Sequence, residues 1–269
     1  TNQTKDFFTL GRKIPFFYEL ELEKFKYSQE IMETGIADID DAATQSSYTI
    51  DLIVGAGNAN NYTQKEIGEI TYEAEVLEFS EPGGMMDQYS TAVGNVIYLA
   101  SQPAISITTY QQNLGTFVLG DSCEPKDTLG ILSRVKFGTL GGIQKIRALD
   151  QSFDLASITS ADCAQYQKLL TEDEWVLLQS NISDRDILLE AKKMFEGEEV
   201  WDDIRLGSLL NEHQVNLREH KRISTPKIDR MIESALQAGA FGAKINGSGG
   251  GGCMFAYAPK NPEAVVEAI

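Results

Sequence analysis

Two carboxylates and one run of glycines are the residues of this chain whose types and spacing could do chemistry. Asp87 follows a Pro-Gly-Gly turn at the start of a short predicted helix, and Glu75 lies twelve residues before it, near the end of a longer one. An aspartate in this position is often only a helix cap. The nearby second carboxylate favours another interpretation, in which Glu75 holds Mg²⁺ while Asp87 faces a substrate hydroxyl group.

The glycine run lies in the segment GAKINGSGGGGC, residues 242–253, which contains six glycines. A glycine inside an element costs roughly 0.5–1 kcal/mol relative to alanine, so this concentration needs a reason. A plain hairpin loop needs only one or two residues with positive φ. The alternative is a concave loop whose backbone N–H groups contact an anion or which packs against another phosphate-holding loop. The segment lacks the lysine and Ser/Thr of a Walker A loop, so we do not expect a P-loop fold.

Helices and strands must position these residues. Thr63, followed three residues later by Glu66, predicts a capping box at the start of an amphipathic helix over residues 63–79. The apolar residues at helical spacing, which we predict to be buried, are Ile67, Ile70, Ala74 and Leu77. The other predicted elements are helices over 46–60, 85–94, 201–222 and 225–239, strands over 95–100, 105–110 and 116–122, strands on both sides of the glycine run, and a final helix from 261.

Length and composition bound the class of protein. A chain of 269 residues usually forms two domains, which we place at residues 1–112 and 113–269. The charge of −17 argues against a nucleic-acid partner, because phosphate backbones are bound by clustered basic side chains. It does not exclude a nucleotide, which backbone N–H groups and a metal ion can hold. Without a signal or membrane-spanning segment, we expect a cytoplasmic protein with no membrane partner.

Three segments, in their order along the chain, resemble the GHMP kinases, the family of galactokinase, mevalonate kinase and homoserine kinase. They are EPGGMMDQYSTAVG, LGSLLNEHQ and ISTPKIDRMIESALQAGAFGAKINGSGGGGC, and the resemblance covers about residues 63–260. It implies an α+β fold, a two-domain α/β sandwich with a ferredoxin-like C-terminal domain. It also implies an ATP-dependent small-molecule kinase. Gln88 directly after Asp87 is similar to the sugar 1-kinases of the family, so we expect a galactokinase-like enzyme with a sugar as substrate.

The resemblance also implies roles for single residues. Asp87 would accept the proton of the acceptor hydroxyl or orient it, and Arg12 would keep Asp87 ionised. Glu75 and Ser47 would hold Mg²⁺. The N–H groups that would surround the phosphates of ATP belong to Ser46, Ser47, Gly247, Ser248, Gly249, Gly250 and Gly251. The resemblance leaves the oligomeric state open.

Two motifs of the family are altered in this chain. Where the family has a Gly-Leu-Ser-Ser-Ser-Ala loop, this sequence reads AATQSSYTI, with Ser46 and Ser47 in register but no glycine. Near the N-terminus only LGRKIPFF, around Arg12, is similar to the family pattern. Two explanations stay open. The chain is a catalytically inactive pseudokinase that senses a sugar or nucleotide, or its sequence omits segments of the phosphate-binding region. We favour the second, because flexible segments would be lost first.

Overall fold

The computed structural model describes residues 62–78, 84–125 and 128–269. The chain divides into two compact units, residues 1–111 and 112–269, and each unit is described by itself. The predicted helix over residues 46–60 and the candidate site residues Arg12, Ser46 and Ser47 lie outside the described residues. Within these ranges, no helix has both the length and the apolar composition needed to cross a membrane.

The described residues of the first unit form two packed helices followed by an antiparallel pair of strands. Thr63 forms the predicted capping box with Glu66, and the second helix ends at Gly94, where φ is +71°. The strands pair in the register Val96↔Tyr110. The elements are α1 (Gln64–Tyr72), continued by a π-helical turn (Glu73–Leu77), α2 (Met86–Val93), β1 (Val96–Ala100) and β2 (Ser106–Tyr110).

The π-helical turn changes which residues of the first helix are buried. The Glu78 N–H donates to Glu73 O, five residues back, so this turn holds one more residue than an α-helical turn. The extra residue rotates the end of the helix. The prediction of burial is confirmed for Ala74 but wrong for Leu77, which is 55% exposed, and Glu75 is buried instead.

The second unit contains a three-stranded antiparallel sheet and five longer helices among its described residues. The strands β3 (Phe117–Asp121), β4 (Gly242–Ile245) and β5 (Cys253–Tyr257) lie in the order β3–β5–β4, so β4 and β5 form the predicted hairpin around the glycine loop. The elements are β3 (Phe117–Asp121), α3 (Thr128–Arg147), two short helical turns (Ser160–Cys163 and Ala164–Leu169), α4 (Glu172–Glu196), α5 (Asp203–Val215) with a π-helical turn (Asn216–His220), α6 (Pro226–Gln237), β4 (Gly242–Ile245), β5 (Cys253–Tyr257) and α7 (Pro262–Ala268).

The main core of this unit lies between one face of the sheet and helices α6 and α7. Its fully buried side chains include Ile228, Ala235, Ala243, Ile245, Met254, Ala256 and Val265. Thr225 caps α6, since its side chain accepts from Ile228 N–H, and Pro226 takes the first helical position, as the sequence predicts. The core therefore fixes β4 and β5, the two strands that lead into and out of the glycine loop.

Candidate functional site

Glu75 lies in the π-helical turn, where its side chain is turned into the first unit and only 9% exposed. Gln88 on α2 is also buried, and its Nε2 donates a hydrogen bond to Glu75 Oε2 at 2.8 Å. A buried carboxylate requires hydrogen-bond donors or a cation to offset its desolvation. Gln88 supplies one donor and fixes the orientation of the carboxylate.

Close packing between α1 and α2 sets the rotation of α2. A Cβ atom at Gly68 would lie 2.7 Å from Tyr89 Cδ1, so the glycine lets the two helices approach. Tyr89 is fully buried, and this burial raises the pKa of its hydroxyl group. With Gln88 and Tyr89 turned inward, Asp87 lies on the exposed side of the first turn of α2. The exposed carboxylate of Asp87 therefore belongs to the neighbour of Gln88, the residue that holds the buried carboxylate of Glu75.

Glu75 can bind Mg²⁺ only together with ligands from outside the described residues, such as the phosphate oxygens of a nucleotide. No group of three or more His, Cys, Asp or Glu side chains able to hold a metal occurs among the described residues. Mg²⁺ does not need such a group, because one or two carboxylates together with phosphate oxygens are a common ligand set. Glu75, oriented by Gln88, can supply one carboxylate; Ser47, the other predicted ligand, lies outside the described residues.

The glycine loop between β4 and β5 has a left-handed backbone at five positions. The φ angles are +74° at Gly247, +75° at Gly249, +74° at Gly250, +123° at Gly251 and +69° at Gly252. Side chains other than glycine rarely adopt these angles. A plain two-residue hairpin turn requires at most two such residues, so the conformation exceeds what the reversal of the chain needs.

Backbone carbonyls of the same unit hold this loop from two sides. Gly250 N–H donates to Ile223 O at 2.7 Å, and Gly252 N–H donates to Glu124 O at 3.0 Å. A Cβ at Gly249 would lie 2.4 Å from Ile223 O, and one at Gly251 would lie 2.6 Å from Pro125 O. The chain's own backbone therefore requires glycine at these two positions, whether or not a ligand binds.

Four N–H groups of the loop remain available. Among the described residues, those of Gly247, Ser248, Gly249 and Gly251 donate to no protein acceptor. The N–H of Gly250, which we predicted to face a phosphate, is already used by Ile223 O. Successive N–H groups on a concave backbone form an anion-binding site. Gly247 is exposed and Ser248 is partly exposed, so their N–H groups can reach an anion at the surface, whereas Gly249 and Gly251 are buried.

Lys244, in the strand that leads into the loop, is a residue that our sequence reasoning missed. Its Nζ donates to Ile245 O at 2.8 Å and lies 4.9 Å from the centroid of the Phe255 ring. Burial lowers the pKa of Lys244 to about 8, with the carboxylate of Asp184 opposing the shift and the ammonium of Lys221 adding to it. A single basic residue inside the apolar strand GAKI was the available signal.

Comparison with known proteins finds similarity to the GHMP kinases. Residues 202–269 match the family model described as GHMP kinases C terminal. The chain is 26% identical over 207 residues to a mevalonate kinase of Thermococcus gammatolerans, covering 77% of this chain and 52% of that protein. It is 25% identical over 213 residues to a galactokinase of Streptomyces coelicolor, covering 76% and 54%.

The fold is similar to that of a solved kinase. The crystal structure of Lactococcus lactis galactokinase complexed with galactose superposes with a TM-score of 0.71 at 17% identity, covering 86% of this chain and 61% of that one. The α+β fold expected from the sequence is thereby confirmed. The chain spans about half the length of these two curated relatives.

Proposed function

We propose that the protein transfers a phosphoryl group from ATP to a hydroxyl group of a small molecule, with a sugar as the acceptor. Residues 202–269 match the family model of the GHMP kinase C terminus, and the chain has the α+β fold of these kinases. The observation that carries the proposal is the loop over residues 247–252. The backbone of this loop is left-handed at five glycines. Four of its N–H groups donate to no acceptor among the described residues. We assign residues 1–112 and 113–269 as the two domains of the kinase.

The loop would bind the nucleotide. The N–H groups of Gly247, Ser248, Gly249 and Gly251 would donate to phosphate oxygens. Gly250 would act indirectly, because its N–H anchors the loop to Ile223 O. Phosphoryl transfer depends mainly on such positioning and charge neutralisation.

Residues of the first unit would serve the acceptor and the metal. Asp87 is exposed and would accept the proton of the acceptor hydroxyl or orient it, with Arg12 keeping it ionised. Glu75 and Ser47 would hold Mg²⁺, and Gln88 would orient Glu75. When bound, Mg²⁺ offsets the negative charge of the phosphates. Ser46 and Ser47 would supply further donors to the phosphates.

Two observations favour two different molecules as the acceptor of the phosphoryl group. The Asp87–Gln88 pair resembles the sugar 1-kinases, which favours an anomeric hydroxyl group. The matches to a mevalonate kinase and to a galactokinase are of nearly equal identity, 26% and 25%, which keeps mevalonate as the second candidate. A pseudokinase that binds ATP or a sugar without turnover is the alternative outside the enzyme class.

An acceptor screen tests the proposal. The purified chain, with Mg²⁺ and ATP, is supplied separately with galactose, other hexoses and mevalonate, and ADP release is followed. We expect release that depends on one hexose. Release only with mevalonate would replace the sugar by the second candidate. ATP or sugar binding without release would support the pseudokinase, and the absence of both binding and release would overturn the proposal.

A further inference from the structure

One edge of β4 faces a helix instead of another strand. Among the strands that the structure describes, in the order β3–β5–β4, β4 pairs only with β5. On its other side, Ala243 N–H donates to Asn211 Oδ1 at 2.9 Å, and Ile245 N–H donates to Gln214 Oε1 at 3.0 Å. Asn211 Nδ2 also donates to Phe241 O at 3.3 Å. Two side-chain amides of α5 therefore stand where the backbone of a fourth strand would pair.

The spacing of these residues explains how a helix can do this. Asn211 and Gln214 are three helical residues apart, a rise of about 4.5 Å. Their partners are two strand residues apart, about 6.7 Å. Gln214 is one methylene longer than Asn211 and can make up part of the difference. Gly207, one turn before Asn211, lets the helix approach closely, since a Cβ there would lie 2.4 Å from Phe241 O.

Gln214 also contacts Ser224, which is next to Ile223, the residue whose carbonyl anchors the glycine loop. It is only 4% exposed, and its Nε2 donates to Ser224 Oγ at 3.4 Å. Ser224 follows Ile223, whose carbonyl accepts from Gly250 N–H. One buried side chain therefore contacts both Ile245, two residues before the loop, and the residue next to the loop's anchor.

On the basis of the proposed function, we infer that Gln214 is a positioning residue for the nucleotide phosphates. It holds the end of β4 and the Ile223 carbonyl at a fixed separation, and this separation sets the direction of the four available N–H groups of the loop. Asn211 holds the start of the same strand. Neither side chain need touch the nucleotide, because both act through the backbone of β4 and the loop.

Matched variants of Gln214 separate positioning from general stability. Gln214→Met keeps the length of the side chain but cannot accept from Ile245 N–H. Gln214→Glu can accept that bond but cannot donate to Ser224 Oγ. Gln179→Met is the control: it is the same substitution on α4, where Gln179 Nε2 is buried and donates to no acceptor among the described residues. Melting temperatures identify variants that fail to fold.

Two readouts test the inference on the whole chain. Hydrogen exchange of a peptide covering residues 242–253 reports the strand edge, and titration with Mg·ATP reports the binding site. We expect Gln214→Met to speed exchange and raise the Kd for Mg·ATP about tenfold, the loss expected when a buried donor loses its acceptor. Gln214→Glu should keep the exchange protection of Ile245 and bind more tightly than Gln214→Met, and Gln179→Met should match the parent in both.

The outcomes distinguish this inference from the proposed function. Faster exchange in Gln214→Met with unchanged Mg·ATP affinity would make the contact purely structural and overturn the positioning role. Unchanged exchange would also overturn it, since the strand edge would not depend on Gln214. If the parent chain binds no Mg·ATP, the proposed function fails and this inference fails with it. If the parent binds and Gln214→Met binds equally well, only this inference fails.

Discussion

Gln88 Nε2 donates to Glu75 Oε2 at 2.8 Å, so the residue next to the exposed Asp87 holds the buried carboxylate of the preceding helix. The contact depends on the π-helical turn, which brings Glu75 inward, and on the contact of Gly68 with Tyr89, which sets the rotation of α2. The carboxylate that could serve a metal is thereby held by the residue next in sequence to the carboxylate that could serve an acceptor.

Removing this amide should weaken metal binding. Gln88→Met removes the donor to Glu75 Oε2, and losing a hydrogen-bond partner of a metal ligand typically costs 10–100-fold in metal affinity. We expect the Mg²⁺ concentration for half-maximal nucleotide binding to rise at least about tenfold. Ser90→Ala on the same helix removes an exposed hydroxyl that donates to Asp87 O and serves as the control. An unchanged Mg²⁺ requirement in Gln88→Met would remove Glu75 from the proposed metal site.

Gly249→Ala should destabilise the fold more than its backbone angle alone requires. Gly197 has nearly the same φ, +74° against +75°, but a Cβ there would meet nothing within 4 Å, whereas at Gly249 it would lie 2.4 Å from Ile223 O. Gly197→Ala should cost about 1–2 kcal/mol of unfolding free energy for the left-handed angle. Gly249→Ala should cost about 1–3 kcal/mol more for overpacking.

Denaturant unfolding of three variants measures this difference. Gly84→Ala, where a Cβ would have open space and φ is not positive, should be close to neutral. Equal losses for Gly197→Ala and Gly249→Ala would show that the loop has room for a side chain, and that its glycines are not required by the protein's own backbone.

His213 should make the protein less stable in mild acid. Its Nε2 lies 3.7 Å from Asp184 Oδ1, but burial, together with the charges of Lys244 and Lys221, lowers its pKa to about 4. The unfolded chain, with a pKa near 6.5, binds this proton between pH 6.5 and pH 4 while the folded chain does not. Unfolding free energy therefore falls as the pH falls through this range.

The size of the effect can be bounded and measured. At pH 5 the contribution of His213 is at most about 2 kcal/mol, and solvent screening reduces it because a third of the side chain is exposed. The melting temperature of His213→Gln should fall less between pH 6.5 and pH 5 than that of the parent. His220→Gln is the matched control. Parallel pH profiles for the parent and His213→Gln would contradict the assigned cause.

Local signals in the sequence predicted most of the described elements. The capping box at Thr63, the Thr225–Pro226 start of α6 and the glycine stop at Gly94 are each encoded within a few residues, and all three are confirmed. The fate of Leu77 was not predictable in this way. The π-helical turn that exposes it inserts one residue into a helix of ordinary composition, and helical spacing alone does not reveal it.

The sequence indicated which residues are candidates for the site, but it did not reveal which residues contact them. Glu75 and Asp87 stood out in the sequence, while the role of Gln88 depends on a partner in another helix. The glycine run indicated unusual backbone angles, which are confirmed. Its anchors, the carbonyls of Ile223 and Glu124, come from distant parts of the chain and carry no side-chain signal, so only the folded structure identifies them.

The most direct test of the proposed kinase activity follows the γ-phosphoryl group itself. The parent chain and Asp87→Asn are incubated with Mg·ATP and the hexose selected by the acceptor screen, and the products are followed by ³¹P NMR, with nucleotide affinity measured on the same samples. We predict a sugar phosphate signal for the parent and a rate at least roughly 10²-fold lower for Asp87→Asn, with unchanged ATP affinity. Equal rates for the two proteins, or no phosphorylated acceptor from a parent that binds ATP, would contradict the proposed function.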